Sequence, residues 1–198
     1  MYNLLYSNRK VEMNLKESLE SFVQPVYGKT QRSTSTYQTV AAHCSKHIAD
    51  SVVEYHIIGN NQQLLREIRN DIDYHLRRYH EYCIQQRDGM KAHYHEVGAD
   101  EDCDFEHLIP AARIRDLLLA SAITVEQALN VPTVRLSRAK HIRLKDTGWD
   151  DDTPDTWLPF TRYTNVFDAT YQTHDGTVID PLTWTLEKHY NYFEHLII

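Results

Sequence analysis

Cysteine is scarce in this 198-residue chain. Cys44, Cys83 and Cys103 are far apart and odd in number. No two of them form a CxxC pair, so the pattern indicates neither a zinc ribbon nor a disulfide framework. Long apolar runs are missing too. No window of about 18 apolar residues occurs, and no membrane-spanning helix or membrane partner is expected. The opening stretch, MYNLLYSNRKVEMNLKE, lacks the basic start and apolar core of a secretory signal. These absences predict a reduced, intracellular protein of cytoplasmic location. Positive charge is short as well. The formal net charge of −7 argues against nucleic-acid binding by charge spread over the whole surface. No internal repeat and no low-complexity segment occurs.

What is present is ordinary in bulk and unusual in detail. Apolar residues at 41% and charged residues at 25% suit a globular chain of one domain, or of one domain with a helical appendage. Twelve histidines and thirteen tyrosines leave room for a polar or metal-binding site. Positive charge is concentrated locally: Arg113, Arg115, Arg135, Arg138, Lys140, Arg143 and Lys145 face only Asp116 and Glu126 over that stretch.

The first half reads as helix. Asn14 caps a segment to residue 24 with Leu15, Leu19, Phe22 and Val23 at helical spacing, ended by Pro25. Gly28 to Ser35 is a polar loop, and its Gly-Lys-Thr lacks the second glycine and leading strand of a phosphate-binding loop. Thr36 to Ile58 places Val40, Ala41, Cys44, Ile48, Val52 and Ile57 on one face. Gly59-Asn60 breaks it, and Gln62 to Gln86 follows with Leu65, Ile68, Ile72, Leu76, Tyr79 and Cys83 in a stripe closed by Asp88-Gly89. Two long helices with a short connection predict an antiparallel hairpin.

The pattern changes near Met90. Residues 90 to 104 are polar and acidic and read as loop. Phe105 to Pro110 is a short strand stopped by proline, and Ala111 to Ala120 is helical. Thr124 caps Val125 to Leu129, Val131 to Leu136 is extended, and Ser137 caps a helix from Arg138 to Asp146 with Gly148 in the C′ position. The Asp150-Asp151-Asp152 run reads as a solvated loop. His174-Asp175-Gly176 between residues 167–173 and 177–179 signals a hairpin, and the closing Leu-Ile-Ile is expected to pack.

Phosphodiester hydrolysis needs a deprotonated water and neutralisation of the charge on the phosphorane and leaving oxygen. One neutral, oriented histidine and one divalent cation divide that work. Glu106 and His107 are adjacent on a strand and so point to opposite faces: one can ligate a cation while the other approaches water. His141 lies one turn into a helix whose first amides favour phosphate. Arg135, Arg138 and Lys140 flank it and suit a nucleic-acid backbone.

Asp104-Phe105-Glu106-His107-Leu108-Ile109-Pro110 resembles the first motif of the His-Me finger (HNH-type) endonucleases. Leu136-Ser137-Arg138-Ala139-Lys140-His141-Ile142-Arg143-Leu144-Lys145 resembles their last motif, and Asn130 lies between the two. The resemblance spans 104–148. It implies His107 as general base, Asn130 as its positioning residue, and Glu106 and His141 as ligands of a divalent metal (Mg2+ or Mn2+, with Zn2+ a further candidate). Arg113, Arg115, Arg135, Arg138, Lys140 and Lys145 are then expected to contact nucleic acid, DNA before RNA. The implied fold is α+β and mostly helical: residues 1–90 form a helical scaffold or targeting region, and 91–198 a small ββα-metal core with a C-terminal hairpin. The chain departs from the family pattern in the long interval between its two motif histidines, helical where a strand is expected, and in lacking CxxC knuckles.

Two other readings stay open. The alternatives are a non-enzymatic helical interaction protein in which these residues are incidental, and a helical metalloprotein. For the latter, His43 and His47 share a helix face at i, i+4, as do Asp71 and His75, although a polar helix flank accounts for both. His93-Tyr94-His95-Glu96 is a further small cluster of ligand types, and Tyr74, Tyr79 and Tyr82 read as residues at the edge of a core.

Overall fold

The computed structural model describes residues 35–87, 89–99 and 101–193. The expected helix over 14–24, the polar loop before residue 35, Asp88 and the final Leu-Ile-Ile lie outside them. The fold is α+β. Helix α1 (Ser35–Ile57) and helix α2 (Gln62–His80) pack against one another. Gly59 turns the chain between them at φ +68°, and Asn61 caps α2 by accepting from Leu64 N. The apolar stripes meet, with Ile48, Ile72 and Leu76 completely buried, except that Ile57, expected on the same face, is exposed at the end of α1. Beyond His80 the helix widens into a π-helical turn, Glu81–Gln85.

Five short strands form one mixed sheet: β1 (Tyr94–Glu96), β2 (Cys103–His107), β3 (Thr133–Ser137), β4 (Tyr171–Thr173) and β5 (Val178–Ile179). Their order is β2-β3-β1-β4-β5. The pair β1–β3 is parallel and the other three are antiparallel. The central β1 lies within 90–104, where composition predicts loop. Its backbone is paired on both sides while its polar side chains have buried partners, so alternation of polarity does not mark it. The hairpin of β4 and β5 around His174-Asp175-Gly176 forms as expected.

Between β2 and β3 run α3 (Ala111–Leu119) and α4 (Val125–Leu129), the latter opened by a capping box of Thr124 and Gln127. From β3 the chain passes directly into α5 (Arg138–Asp146), and later into α6 (Thr161–Thr164) and α7 (Leu186–Phe193). Ser137 makes no side-chain cap bond to α5. Its backbone N donates instead to Glu96 Oε2 at 2.9 Å, and Arg138 N to Asp102 O at 3.1 Å. The start of α5, expected to attract phosphate, therefore already holds protein acceptors.

Two apolar clusters flank the sheet. One joins α1, α2, α3 and α4 with Leu186 and Tyr190, and so draws on both sides of residue 90. The other unites the sheet with α5, α6 and Phe193. Register assigns the faces of β2: Asp104 and Glu106 stand opposite Leu136 and Val134, on the side of Leu144 of α5, while Phe105 and His107 turn toward α2. Among the described residues no helix is long and apolar enough to cross a membrane.

The short helix α4 ends in a buried setting, and its last carbonyls need donors. Side chains from distant elements supply them. Tyr190 donates its hydroxyl to Gln127 O at 3.0 Å, His80 Nε2 meets Leu129 O at 3.0 Å, and His189 Nε2 meets Asn130 O at 2.9 Å. Asn130 turns its own amide back to Glu126 O at 2.7 Å. Carbonyls only accept, so both imidazoles carry hydrogen on Nε2. Burial pushes His80 down to about 4 and His189 to about 3, against the opposing pull of those carbonyls.

These two shifts give stability a pH dependence of definite sign. In the unfolded chain the histidines titrate near 6.5. Below that value the unfolded state binds protons that the folded state refuses, so unfolding free energy falls with falling pH, before carboxylates begin to protonate. Urea unfolding should show a loss of about 1–2 kcal/mol per group between pH 7 and pH 5. His189→Gln, which keeps an N–H donor and cannot titrate, should flatten that slope; an unchanged slope would refute the assignment.

Candidate active site

Asp104 and Glu106 project from the same face of β2, two residues apart, and together they grip His141 of α5. His141 Nδ1 is 2.7 Å from Asp104 Oδ2, and its Nε2 is 2.8 Å from Glu106 Oε1. Asp150, in the loop after α5, brings Oδ1 to 3.4 Å from the same Nε2. One ligand atom each from Glu106, His141 and Asp150 thus lies within 4.8 Å of the other two. An ion bound at 2.0–2.2 Å from each would space its ligands by about 3–3.5 Å, so this donor set fits a divalent cation with little rearrangement. Two carboxylate oxygens and one imidazole suit Mg2+, Mn2+ or Zn2+. Asp104 supplies the carboxylate behind the imidazole that ligating histidines commonly have.

The charges are balanced closely. The hydrogen bond from His141 holds the Asp104 carboxyl below its ordinary range, with Arg138 helping. Burial, reinforced by Asp150, raises the Glu106 carboxyl despite His141 and Arg162. With Nδ1–H given to Asp104, the contact between His141 Nε2 and Glu106 Oε1 requires a proton between them, or a metal ion in its place.

His107 occupies the other face of β2. Its Nε2 is 2.9 Å from His80 Nδ1. His80 donates from Nε2 to Leu129 O, so its Nδ1 is the acceptor and His107 must donate Nε2–H. The lone pair of His107 is therefore on Nδ1. That nitrogen has no hydrogen bond among the described residues and is not sealed in, and the ring lines a cleft. Burial first, then His80, Arg77 and Arg162, hold the imidazole well below its ordinary value. Because β2 is an edge strand, both of its faces reach one cleft of about 430 Å³, lined by Glu106, His107, His141, Asp150, Arg77 and Lys145 among others.

Arg162 of α6 ties this cleft together from beneath. The side chain is completely buried. Its Nη1 donates to Trp149 O at 2.9 Å and Asp150 O at 2.7 Å, and its Nη2 donates to His107 O and to Tyr163 Oη. Nη2 also lies 3.6 Å from Glu106 Oε2. One guanidinium therefore fixes the Asp150 loop relative to β2.

The structure brings Glu106, His107 and His141 together and leaves Asn130 elsewhere: its amide closes α4, and His80 holds His107 in its stead. The expected basic contacts divide. Arg115 pairs with Asp73 and Asp116, tying α3 to α2. Lys140 pairs with Glu96 at 2.6 Å, and Arg138 with Asp102 and Asp104. Lys140 and the Ser137 amide overcome the burial that would raise Glu96, holding its carboxyl low. Arg135 reaches Glu101 O at 3.5 Å, and Arg113 lies on the half-buried flank of α3. Lys145 lines the cleft, joined by Arg77, which sequence reasoning missed along with Asp104, His80, Asp150 and Arg162. For Asp150 the signal was present as an aspartate run and for Asp104 as the first position of the resembled motif; for Arg77, His80 and Arg162 no local pattern marks them. No protein-family model, curated protein or solved structure matches this chain.

Replacing Arg162 tests its structural part. Arg162→Met leaves the carbonyls of His107, Trp149 and Asp150 buried without that donor, and should lower unfolding free energy by about 3 kcal/mol or more. Urea denaturation measures it, and a loss under about 1 kcal/mol would contradict this account.

Proposed function

We propose that this chain is a metal-dependent endonuclease of the His-Me finger kind, hydrolysing phosphodiester bonds in DNA. The observation that carries the reading is the convergence of Glu106, His141 and Asp150 on one point, in the same cleft as a histidine whose lone-pair nitrogen is free. The order of elements agrees with it: an antiparallel pair, β2 and β3, followed at once by α5, has the connectivity of a ββα-metal core, with α3 and α4 as an insertion between the strands.

Each residue then has a chemical role. His107 Nδ1 accepts the proton of the attacking water, and the hydrogen bond to His80 keeps Nε2 protonated so that Nδ1 remains the base. Glu106, His141 and Asp150 hold the divalent cation, with Asp104 orienting the His141 ring. The cation, when bound, neutralises charge on the phosphorane and the leaving oxygen. Lys145 and Arg77 engage phosphate oxygens at the rim of the cleft. DNA is preferred to RNA on the family resemblance of 104–148.

Plasmid cleavage with Mg2+ or Mn2+ tests the reading. His107→Ala should slow it about 10²–10⁴-fold, the usual contribution of a general base, with circular dichroism and unfolding unchanged in kind. Asp150→Asn, a residue outside the resembled motifs, should weaken cleavage and raise the metal concentration required. Undiminished cleavage by a folded His107→Ala protein, or a wild-type chain inert toward DNA and RNA with all three cations, would end the proposal.

A further inference from the structure

A second cluster of histidines stands on the helical hairpin, built by residues the cleft does not use. His43 and His47, four apart on α1, share one exposed face, and His75 of α2 meets them from the opposing helix. The ring centroids of His43 and His47 are 4.3 Å apart, and those of His47 and His75 are 4.6 Å apart. One ring nitrogen of each residue lies within 4.8 Å of the other two.

His75 supplies an independent indication. It is 5% exposed, and its Nδ1 is enclosed with no hydrogen-bond partner. A buried polar atom left alone is costly and calls for an explanation, an unseen ion among them. Its Nε2 is 3.5 Å from Asp71 Oδ1, while Ser51 Oγ of α1 donates to Asp71 Oδ2 at 2.7 Å. A carboxylate behind one ring nitrogen, itself held by a neighbour, is the support that metal-bound imidazoles usually have.

We infer that His43, His47 and His75 form a second metal site, selective for an ion of the Zn2+, Ni2+ or Cu2+ class, which clips α1 to α2. Three imidazole nitrogens suit these ions and offer little to Mg2+, which demands oxygen ligands. The ligand set leaves room for water in a fourth position. His75 is disposed toward the ligating form: burial, with His47, His43 and Arg78, lowers its affinity for protons against the pull of Asp71. An ion held only by the folded state stabilises it by mass action, and this one joins α1 to α2, the helix that carries Arg77 and His80 to the cleft.

The full chain with Glu106→Ala and Asp150→Ala, which disable the cleft ligands, isolates this site. After chelation and dialysis, calorimetric titration with Zn2+ should give one bound ion per chain and a raised Tm, whereas Mg2+ should give neither. Adding His43→Ala and His47→Ala, both exposed and so compatible with folding, should weaken Zn2+ binding at least tenfold and abolish the Tm shift. Zn2+ binding that survives the two histidine substitutions, or is missing from the Glu106→Ala/Asp150→Ala chain, would overturn the inference. Cleavage activity enters neither outcome, so the test stands apart from the nuclease proposal.

Discussion

The rest of the site depends on a donor shortage at the end of a five-residue helix. Helix α4 stops inside the protein, where its terminal carbonyls have no water to turn to, and leaving them unpaired would cost about 1–3 kcal/mol each. Histidines from α2 and α7 meet two of them. Donation to a carbonyl fixes the imidazole tautomer, and a fixed tautomer fixes whatever bonds to the other nitrogen. From Leu129 O the order passes through His80 to His107. From Asn130 O it passes through His189, whose Nδ1 accepts from Tyr94 Oη, which accepts in turn from Trp184 Nε1. A packing requirement thus determines which nitrogen of His107 keeps its lone pair.

On the opposite face of β2 the governing requirement is electrostatic. Glu106 is half-buried, near a second carboxylate and touching an imidazole already committed to Asp104. Deprotonated Glu106 and Asp150 repel; a proton shared with His141 satisfies one Glu106 oxygen, and Arg162 lies 3.6 Å from the other. A divalent cation at that point relieves the repulsion and takes the place of that proton, which is the physical content of the metal-site reading. Arg162 supplies the fixed part of the compensation. By gripping the backbone of His107, Trp149 and Asp150 together, it holds the Asp150 loop against β2.

Much of this was legible in the sequence because it is local. Helical periodicity exposed α1, α2 and α3, caps and turn residues located α4 and the end of α5, and the two motifs placed Glu106, His107 and His141 on a strand and a helix able to meet. What sequence could not reveal is long-range complementarity. His80 sits within an apolar stripe and looks like part of it, yet its partner is a carbonyl 49 positions away. Arg162 belongs to no charged run. Asn130 lay between the two motifs, where the resembled family places a positioning residue, though at a slightly long interval from His141; a short helix beside it needed a closing amide, and the nearer acceptor won. The basic strip misled for a related reason: a charge counted along the chain has no stated partner, whereas in the fold Asp73 and Asp116 pair with Arg115, Asp102 and Asp104 with Arg138, and Glu96 with Lys140.

That neutralisation constrains any polyanion at the cleft. Lys145 and Arg77 offer two phosphate contacts, against the six to ten typical of proteins that owe their affinity to counterion release, and the net charge of −7 repels the rest of the polymer. On the nuclease proposal, binding in such a cleft would draw heavily on the few groups nearest the reacting phosphate, a bound cation above all. Interactions concentrated there can strengthen as charge builds on the phosphorane, whereas distant backbone contacts bind substrate and transition state alike. On the nuclease proposal, a cleft poor in cations and rich in directed donors would be better suited to turning over a locally accessible phosphodiester than to tight, indiscriminate retention of duplex, and its selectivity would come from the shape of the cleft and of the start of α3 that walls it.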